Sequence, residues 1–397
     1  MDQRVAVVGG GYAGMAAAVT LAERGVPVTV FESGPLPGGR ARRVVSQGHE
    51  LDNGQHIFVG AYTELFRLMR TVEVGPDALL RLPLEIRYAD GFSFGAGLAG
   101  LLLARGVPIG EKLGTLGFMA ALRRTNFRVE PDIPVQQFLD QQRQRGRMRH
   151  YLWGPLCVSA LNTPLERAST NAFLAALRDT LAGGAGASDL VLPRKDLSRL
   201  FPEPAAAYLH AHGGEVRCGT TVRNLDDLKQ YRRVIVAVGP HQLKTLLPEA
   251  PEFTYQPIYT CYLQYTQTTR LPFPMLGMSE GLVQWVFDRG ALLGENGRLA
   301  CVISAQGDHQ QMTQDEVADH CHQELAKAGL VSEPPSWVRV IAEKRATISC
   351  TPGLKRPDVK CNGLILAGDY TDPEYPPTLE AAVRSGVRAA HIVIEES

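Results

Sequence analysis

Arg4-Val5-Ala6-Val7-Val8-Gly9-Gly10-Gly11-Tyr12-Ala13-Gly14 is the stretch on which the reading of this chain turns. The apolar run Arg4 to Val8 reads as a short β-strand, and the Ala-rich run Met15 to Arg24 reads as a helix. Between them Gly9, Gly11 and Gly14 fit the G-x-G-x-x-G spacing. Gly25 suits the helix end, and Val26 to Phe31 is a second strand that stops at Glu32. Strand, glycine turn, helix, strand and terminal acid together specify a dinucleotide-binding unit. Gly9 permits the tight turn out of the strand. Gly11 has no Cβ, so a diphosphate can approach the backbone. Gly14 lets helix and strand pack closely, and Ala13 lies in the same phosphate-facing turn. The helix N-terminus offers free N–H groups and partial positive charge. Glu32, 23 residues after Gly9, is spaced to accept ribose hydroxyls, and an acid there disfavours the 2′-phosphate of NADP.

Gly38-Gly39-Arg40 follows the second strand almost at once, with Arg42 close behind. This resembles the amine-oxidase and phytoene-desaturase class of FAD enzymes, in which a G-G-R segment wraps the diphosphate and flavin. The resemblance implies that Gly39 and Arg40 lie against the cofactor. Near the other end, the apolar Leu364-Ile365-Leu366-Ala367 runs into Gly368-Asp369, and a helix begins at Thr378-Leu379-Glu380. In that class the aspartate accepts a hydrogen bond from a ribitol hydroxyl. The helix N-terminus, here at Thr378 and Leu379, faces the flavin pyrimidine edge, which gains negative charge on reduction. Gly213-Gly214-Glu215-Val216-Arg217, then Thr220-Thr221-Val222, resembles the turn and strand that bring a valine, here Val222, to the adenine. These pieces imply an α/β chain with a discontinuous Rossmann-type FAD-binding domain at 1–75, 205–245 and 355–397. An interleaved α+β substrate-binding domain is expected at 76–204 and 246–354.

Leu51-Asp52-Asn53-Gly54-Gln55-His56-Ile57 resembles the segment that runs under the flavin in phytoene desaturases. Its Asn-Gly-Gln-His form is similar to the hydroxysqualene dehydroxylases of bacterial hopanoid pathways. Further matching stretches are Trp153-Gly154-Pro155-Leu156, Leu161-Asn162-Thr163-Pro164, Trp285-Val286-Phe287-Asp288-Arg289 and Gly368-Asp369-Tyr370-Thr371. The resemblance implies FAD contacts at Gly54, Gln55 and His56. It also implies a reductive step, in which hydride from reduced flavin N5 replaces the allylic hydroxyl of hydroxysqualene and water leaves, giving squalene. Such a step wants a general acid near the flavin and a water-poor apolar cavity for a C30 chain. His56 and Asp288 are candidate acids; hydrogen bonding to the flavin and a salt bridge are their structural alternatives. Two other readings stay open: a carotenoid-type polyprenyl desaturase running oxidatively, and a non-catalytic, FAD-stabilised lipid carrier.

The 397 residues carry zero formal net charge, 45% hydrophobic and 21% charged residues, which allows a packed core and does not point to nucleic acid, which wants a concentrated basic face. Seven scattered cysteines without a C-x-x-C pair fit free thiols in a reducing cytoplasm. His320-Cys321-His322 cannot put three ligands on one helix face, so no metal site is read. The chain enters its first strand without a signal-peptide pattern, and the Phe92–Ala104 run is too short to span a bilayer. A nearly insoluble C30 isoprenoid implies collection from a membrane or from the preceding enzyme of the squalene pathway. The expected location is cytoplasmic and peripheral, at the inner face of the cell membrane, with Leu101–Leu103 as the apolar contact. Gly183–Ala187 reads as a mobile loop near the substrate mouth.

Overall fold

The computed structural model describes residues 2–95, 97–361 and 363–396. β1 (Asp2–Val8), α1 (Tyr12–Glu23) and β2 (Val28–Phe31) form the unit read from the sequence. β1 lies inside a six-stranded sheet whose order is Glu215–Arg217, β2, β1, Tyr231–Val236, Leu364–Leu366, Lys360–Cys361. Neighbours run parallel except the last pair, which makes an antiparallel edge. Val5, Ala6 and Val7 are buried, as a strand covered on both faces requires.

α1 is apolar all round, the pattern of a helix packed between two layers. One side meets the sheet. The other meets the C-terminal helix, Leu379–Glu395, at backbone distance: a Cβ on Gly386 would lie 2.1 Å from the Ala13 carbonyl oxygen.

The second layer is a five-stranded antiparallel sheet in the order Met275–Gly277, Trp285–Asp288, Arg298–Ser304, Tyr255–Gln264, Trp337–Ile348. Alternation of side chains divides its faces. Cys261, Leu263 and Cys301 pack with Val317, Cys321 and Leu325 of the helix Gln314–Lys327. Tyr262, Ala300 and Val302 face the opposite way, into an apolar cluster with Leu101, Phe118, Trp153 and Phe173. That cluster is roofed by the helices Gly97–Leu103, Ile109–Arg124, Gly154–Leu161 and Thr170–Ala182.

Two family-like motifs serve this packing. Asn162 ends its helix in the left-handed region (φ 45°). Its amide donates to the Pro257 carbonyl at 3.2 Å and accepts from the Ala305 N–H at 2.8 Å, tying helix to sheet. Trp285 Nε1 donates to Ser159 Oγ at 3.0 Å. The Gly183–Ala187 stretch is pinned, contrary to its glycine-rich look. Arg81 donates to the Gly186 carbonyl at 2.9 Å, and Ala61 N–H donates to the Ala187 carbonyl at 2.9 Å.

Candidate functional site

At the carboxyl end of β1, Gly9 holds φ +110°, and a Cβ there would lie 2.5 Å from the Ala237 carbonyl oxygen. A Cβ on Gly14 would lie 1.9 Å from the Gly9 carbonyl oxygen, so the helix start packs directly on the turn. Gly11 is different in kind. A Cβ there would meet only the Gly39 Cα, at 3.8 Å, so its face opens onto a groove walled by the Gly38–Gly39 turn. That turn is fixed by the Gly38 N–H donating to the Gly10 carbonyl at 2.8 Å. No side chain caps α1, which leaves its first N–H groups to a ligand. Glu32 accepts from Gly10 N–H at 2.8 Å and Gly34 N–H at 2.6 Å, which holds its carboxylate at the rim of the groove. Backbone donors, a helix N-terminus and a fixed acid suit a dinucleotide.

The strand expected to carry Val222 stops at Arg217. Val222 sits in the following loop, half-buried against the cluster of Val8 and Phe31. That loop is tied to the end of β2 through Gly219 N–H to Gly34 O (2.9 Å) and Thr220 N–H to Glu32 O (2.8 Å).

The groove continues into a cluster drawn from distant segments. Arg40 Nη2 lies 2.7 Å from both carboxylate oxygens of Asp369, and its Nη1 donates to the Ala346 carbonyl at 2.7 Å. Asn53 Nδ2 donates to the Arg40 carbonyl (3.0 Å) and to Glu343 (3.1 Å). Arg40 and Asp369, expected to meet cofactor atoms separately, are therefore partners of each other. Tyr370, next to Asp369, is buried and its hydroxyl has no hydrogen-bond partner among the described residues. Thr378 caps the C-terminal helix by accepting from Ala381 N–H at 3.1 Å, and Leu379 is half-buried in its first turn.

The sequence did not announce Glu380. Fully buried, it turns away from its own helix and accepts from the N–H groups of Glu64 and Leu65, both at 3.0 Å. It thus caps the helix Thr63–Thr71 from outside. Burial raises its pKa, and Arg384 at 2.9 Å opposes the rise. An acid in a first helical turn is a signal for a cap, but the helix it serves lies elsewhere in the chain.

Beneath the Asn53–His56 segment lies a buried polar network. Gln55 donates to the Tyr262 hydroxyl (2.9 Å), which donates to the Asp52 backbone carbonyl (2.7 Å). The Asp52 carboxylate accepts from Leu197 N–H (2.9 Å) and pairs with Arg289 (3.2 Å), whose guanidinium also binds Glu295 (2.7 Å) and lies over the Tyr262 ring. Burial pushes the Asp52 carboxyl up to about 6, with Arg289 opposing. His56 Nδ1 lies 3.0 Å from the Gly54 carbonyl, which can only accept, so Nδ1 carries the proton and Nε2 is left as an acceptor. Burial and then the Arg40 charge lower the His56 pKa, while the Gly54 contact opposes. The result is a neutral imidazole near pH 7, suited to accepting a hydrogen bond rather than to acting as an acid.

Asp288 belongs to the scaffold: its oxygens accept from Ala291 N–H and Leu271 N–H, both at 2.9 Å, and it caps the helix Arg289–Leu293. With both oxygens occupied by main chain it is not disposed as a proton donor. The salt bridge expected between Asp288 and Arg289 is absent as well, because Arg289 turns to Asp52 and Glu295. Asp52, Gln55 and His56 share a narrow crevice with Leu192, Leu197, Phe287 and Leu292. A second, wider cleft of about 230 Å³ beside the Pro373–Glu374 loop is lined by Arg128, Asp132, Arg178 and Arg356, and so lacks the apolar walls expected for a C30 chain.

A parallel sheet with an open glycine cradle, a ribose-spaced acid and a second helix N-terminus beside Asp369 defines an FAD-dependent oxidoreductase. The chain belongs to the flavin containing amine oxidoreductase family, whose profile matches residues 12–394. It is similar to the hydroxysqualene dehydroxylase of Rhodopseudomonas palustris, 29% identical over 436 aligned residues that cover 99% of both chains. The hydroxysqualene dehydroxylase of Sinorhizobium fredii is 28% identical over 435 residues, covering 100% of both. Among solved structures, cyclohexylamine oxidase from Brevibacterium oxydans shares the fold with a TM-score of 0.73 at 17% identity, covering 100% of this chain and 99% of that one.

Proposed function

We propose that this protein removes the allylic hydroxyl of hydroxysqualene reductively, yielding squalene and water. The observation that carries the reading is full-length similarity to two hydroxysqualene dehydroxylases. The Asn53–His56 segment adds support, since it lies against the Arg40–Asp369 pair at the inner edge of an apolar cluster. FAD, when bound and reduced, would supply the hydride, and the hydroxyl would leave as water with one proton taken up from solvent, since neither His56 nor Asp288 is disposed to give one.

The chain's own residues prepare that exchange. The Gly9–Gly14 turn and α1 would hold the diphosphate, Glu32 the adenosine ribose, and Asp369 the ribitol. The Thr378–Leu379 helix start stabilises negative charge at the pyrimidine edge. Neutral His56 accepts a hydrogen bond from the substrate hydroxyl and orients it. The apolar surroundings limit capture of an allylic cation by water. The substrate is drawn from a membrane or from the preceding enzyme, with the protein working peripherally on the cytoplasmic side. No helix among the described residues is long and apolar enough to cross a membrane.

The test is an anaerobic titration. The flavin is reduced, hydroxysqualene is added, and absorbance is followed while the lipid is extracted for mass analysis. Reoxidation with stoichiometric squalene is expected. A flavin that stays reduced with hydroxysqualene, but is itself reduced by an unhydroxylated polyprene, would replace this reading with a desaturase.

A further inference from the structure

The substrate domain carries a concentrated apolar surface. Leu102, Leu103, Ile109 and Leu113 are 46%, 77%, 74% and 60% exposed, and among the described residues Val45 is the other large hydrophobic side chain so exposed. The expected contact at Leu101–Leu103 needs correction, because Leu101 is only 4% exposed and belongs to the core. Within the helix Leu101 turns inward, as do Ala104 and Val107 of the connection that follows, while Leu102 and Leu103 turn out. The outward surface instead continues onto the helix Ile109–Arg124. There Ile109, Gly110, Leu113, Gly114, Gly117 and Ala120 form an exposed face with no charge. The one acid in the first turns, Glu111, is drawn inward to accept from Met148 N–H at 3.0 Å.

Charge frames this face. Arg105 lies between Leu103 and Ile109, Lys112 donates to the Leu102 carbonyl, and Arg123 and Arg124 close the helix. Between residues 96 and 150 there are nine Lys or Arg against four Asp or Glu, in a chain of zero formal net charge. An apolar face rimmed by cations on a neutral protein matches an anionic bilayer, which takes the side chains below its headgroups and the cations at them. The inner sides of the same two helices, Leu101, Phe118 and Leu122, enter the apolar cluster that also holds Leu51 and Tyr262 beside the Asn53–His56 segment.

We propose that Leu102, Leu103, Ile109 and Leu113, with Arg105, Arg123 and Arg124, are the surface by which the protein docks on an anionic lipid bilayer. Docking sets the outer end of the apolar cluster against the acyl region, so that a polyprenyl substrate passes from lipid to flavin without crossing water. The surface deepens the reading given above for the substrate and rests on it for the cargo, though not for the docking.

The experiment uses flavin-loaded full-length protein and sedimentation with vesicles of phosphatidylcholine, alone or mixed with phosphatidylglycerol. Wild type is expected to sediment with the mixed vesicles and to be released by high salt. The triple variant Leu103→Ser, Ile109→Ser, Leu113→Ser should lose at least about tenfold in partitioning, since each side chain removed takes its buried methylenes from the lipid. Its bound flavin absorbance, and its turnover of substrate dispersed in detergent, should be unchanged. A second variant, Arg123→Glu with Arg124→Glu, should lose the preference for phosphatidylglycerol.

Three results would overturn the proposal: wild type that ignores mixed vesicles, a triple variant that binds them as wild type does, or a triple variant whose only change is a smaller oligomer on gel filtration. The last would make the face a contact between copies of the chain. Vesicle binding without any turnover in detergent would sink the dehydroxylase reading and leave the docking surface standing.

Discussion

Gly386→Ala is the most direct test of how the cofactor cradle is held. The added Cβ would lie 2.1 Å from the Ala13 carbonyl oxygen, 3.0 Å from its carbon and 3.0 Å from Ala17 N. These are backbone atoms of a helix packed between the sheet and the C-terminal helix, so no side-chain rotation relieves the clash. With ordinary contacts near 3.5 Å, relieving the 2.1 Å approach needs a separation of about 1.4 Å. Overpacking of this kind costs about 1–3 kcal/mol, and an unyielding backbone partner argues for the upper half. Ala13 lies in the first turn of α1, whose N–H groups would hold the diphosphate in the reading proposed above, so the same displacement should weaken hydrogen bonds to a charged group worth about 1.5–3 kcal/mol each. Loss of one such bond is about tenfold or more in FAD affinity. The control is Gly117→Ala on the exposed face of Ile109–Arg124, where a Cβ meets nothing within 4 Å and helix propensity should add about 0.5–1 kcal/mol. Denaturant unfolding of the flavin-free protein reads the first effect, and fluorescence titration with FAD reads the second. Gly386→Ala within about 0.5 kcal/mol of wild type, the range of a neutral substitution, and with unchanged FAD affinity, would refute the argument that these helices touch at backbone distance.

Other substitutions probe the neighbouring pieces. The Asp52 carboxyl is raised to about 6 in the folded protein, above its unfolded value near 4. The folded state therefore binds the extra proton, and its contribution is full below about 4 and lost as pH rises through about 6. Asp52→Asn should remove up to about 3 kcal/mol of that pH dependence; a pH series of unfolding midpoints with the wild-type slope would count against it. Tyr370→Phe removes a buried hydroxyl with no partner among the described residues and should leave the flavin-free protein as stable or up to about 1 kcal/mol more stable, whereas a loss of stability would mean that the hydroxyl is paired. Asn162→Ala gives up a left-handed helix end and the amide contacts to Pro257 and Ala305, and should cost about 2–4 kcal/mol in the same unfolding experiment; a cost below about 1 kcal/mol would show that the anchor is dispensable.

What the sequence determined by itself is the part governed by local spacing. The β1–turn–α1–β2 unit, its three glycines and Glu32 lie within one short stretch, where turn sterics and helix N-termini leave little choice. The Gly368–Asp369 strand end and the helix start at Thr378 were legible for the same reason. The tertiary structure alone decided what meets across the chain. Arg40 finds Asp369, and Arg289 finds Asp52 rather than its neighbour Asp288. Glu380 caps a helix more than three hundred residues earlier. A side chain's periodicity states its direction within one element, but only packing states what lies there. That is why Leu101 proved buried while Ile109 and Leu113 proved exposed. The chemistry of His56 was decided in the same way. Its residue type allows a proton donor, and the Gly54 carbonyl, the burial and the charge of Arg40 together make it a neutral acceptor.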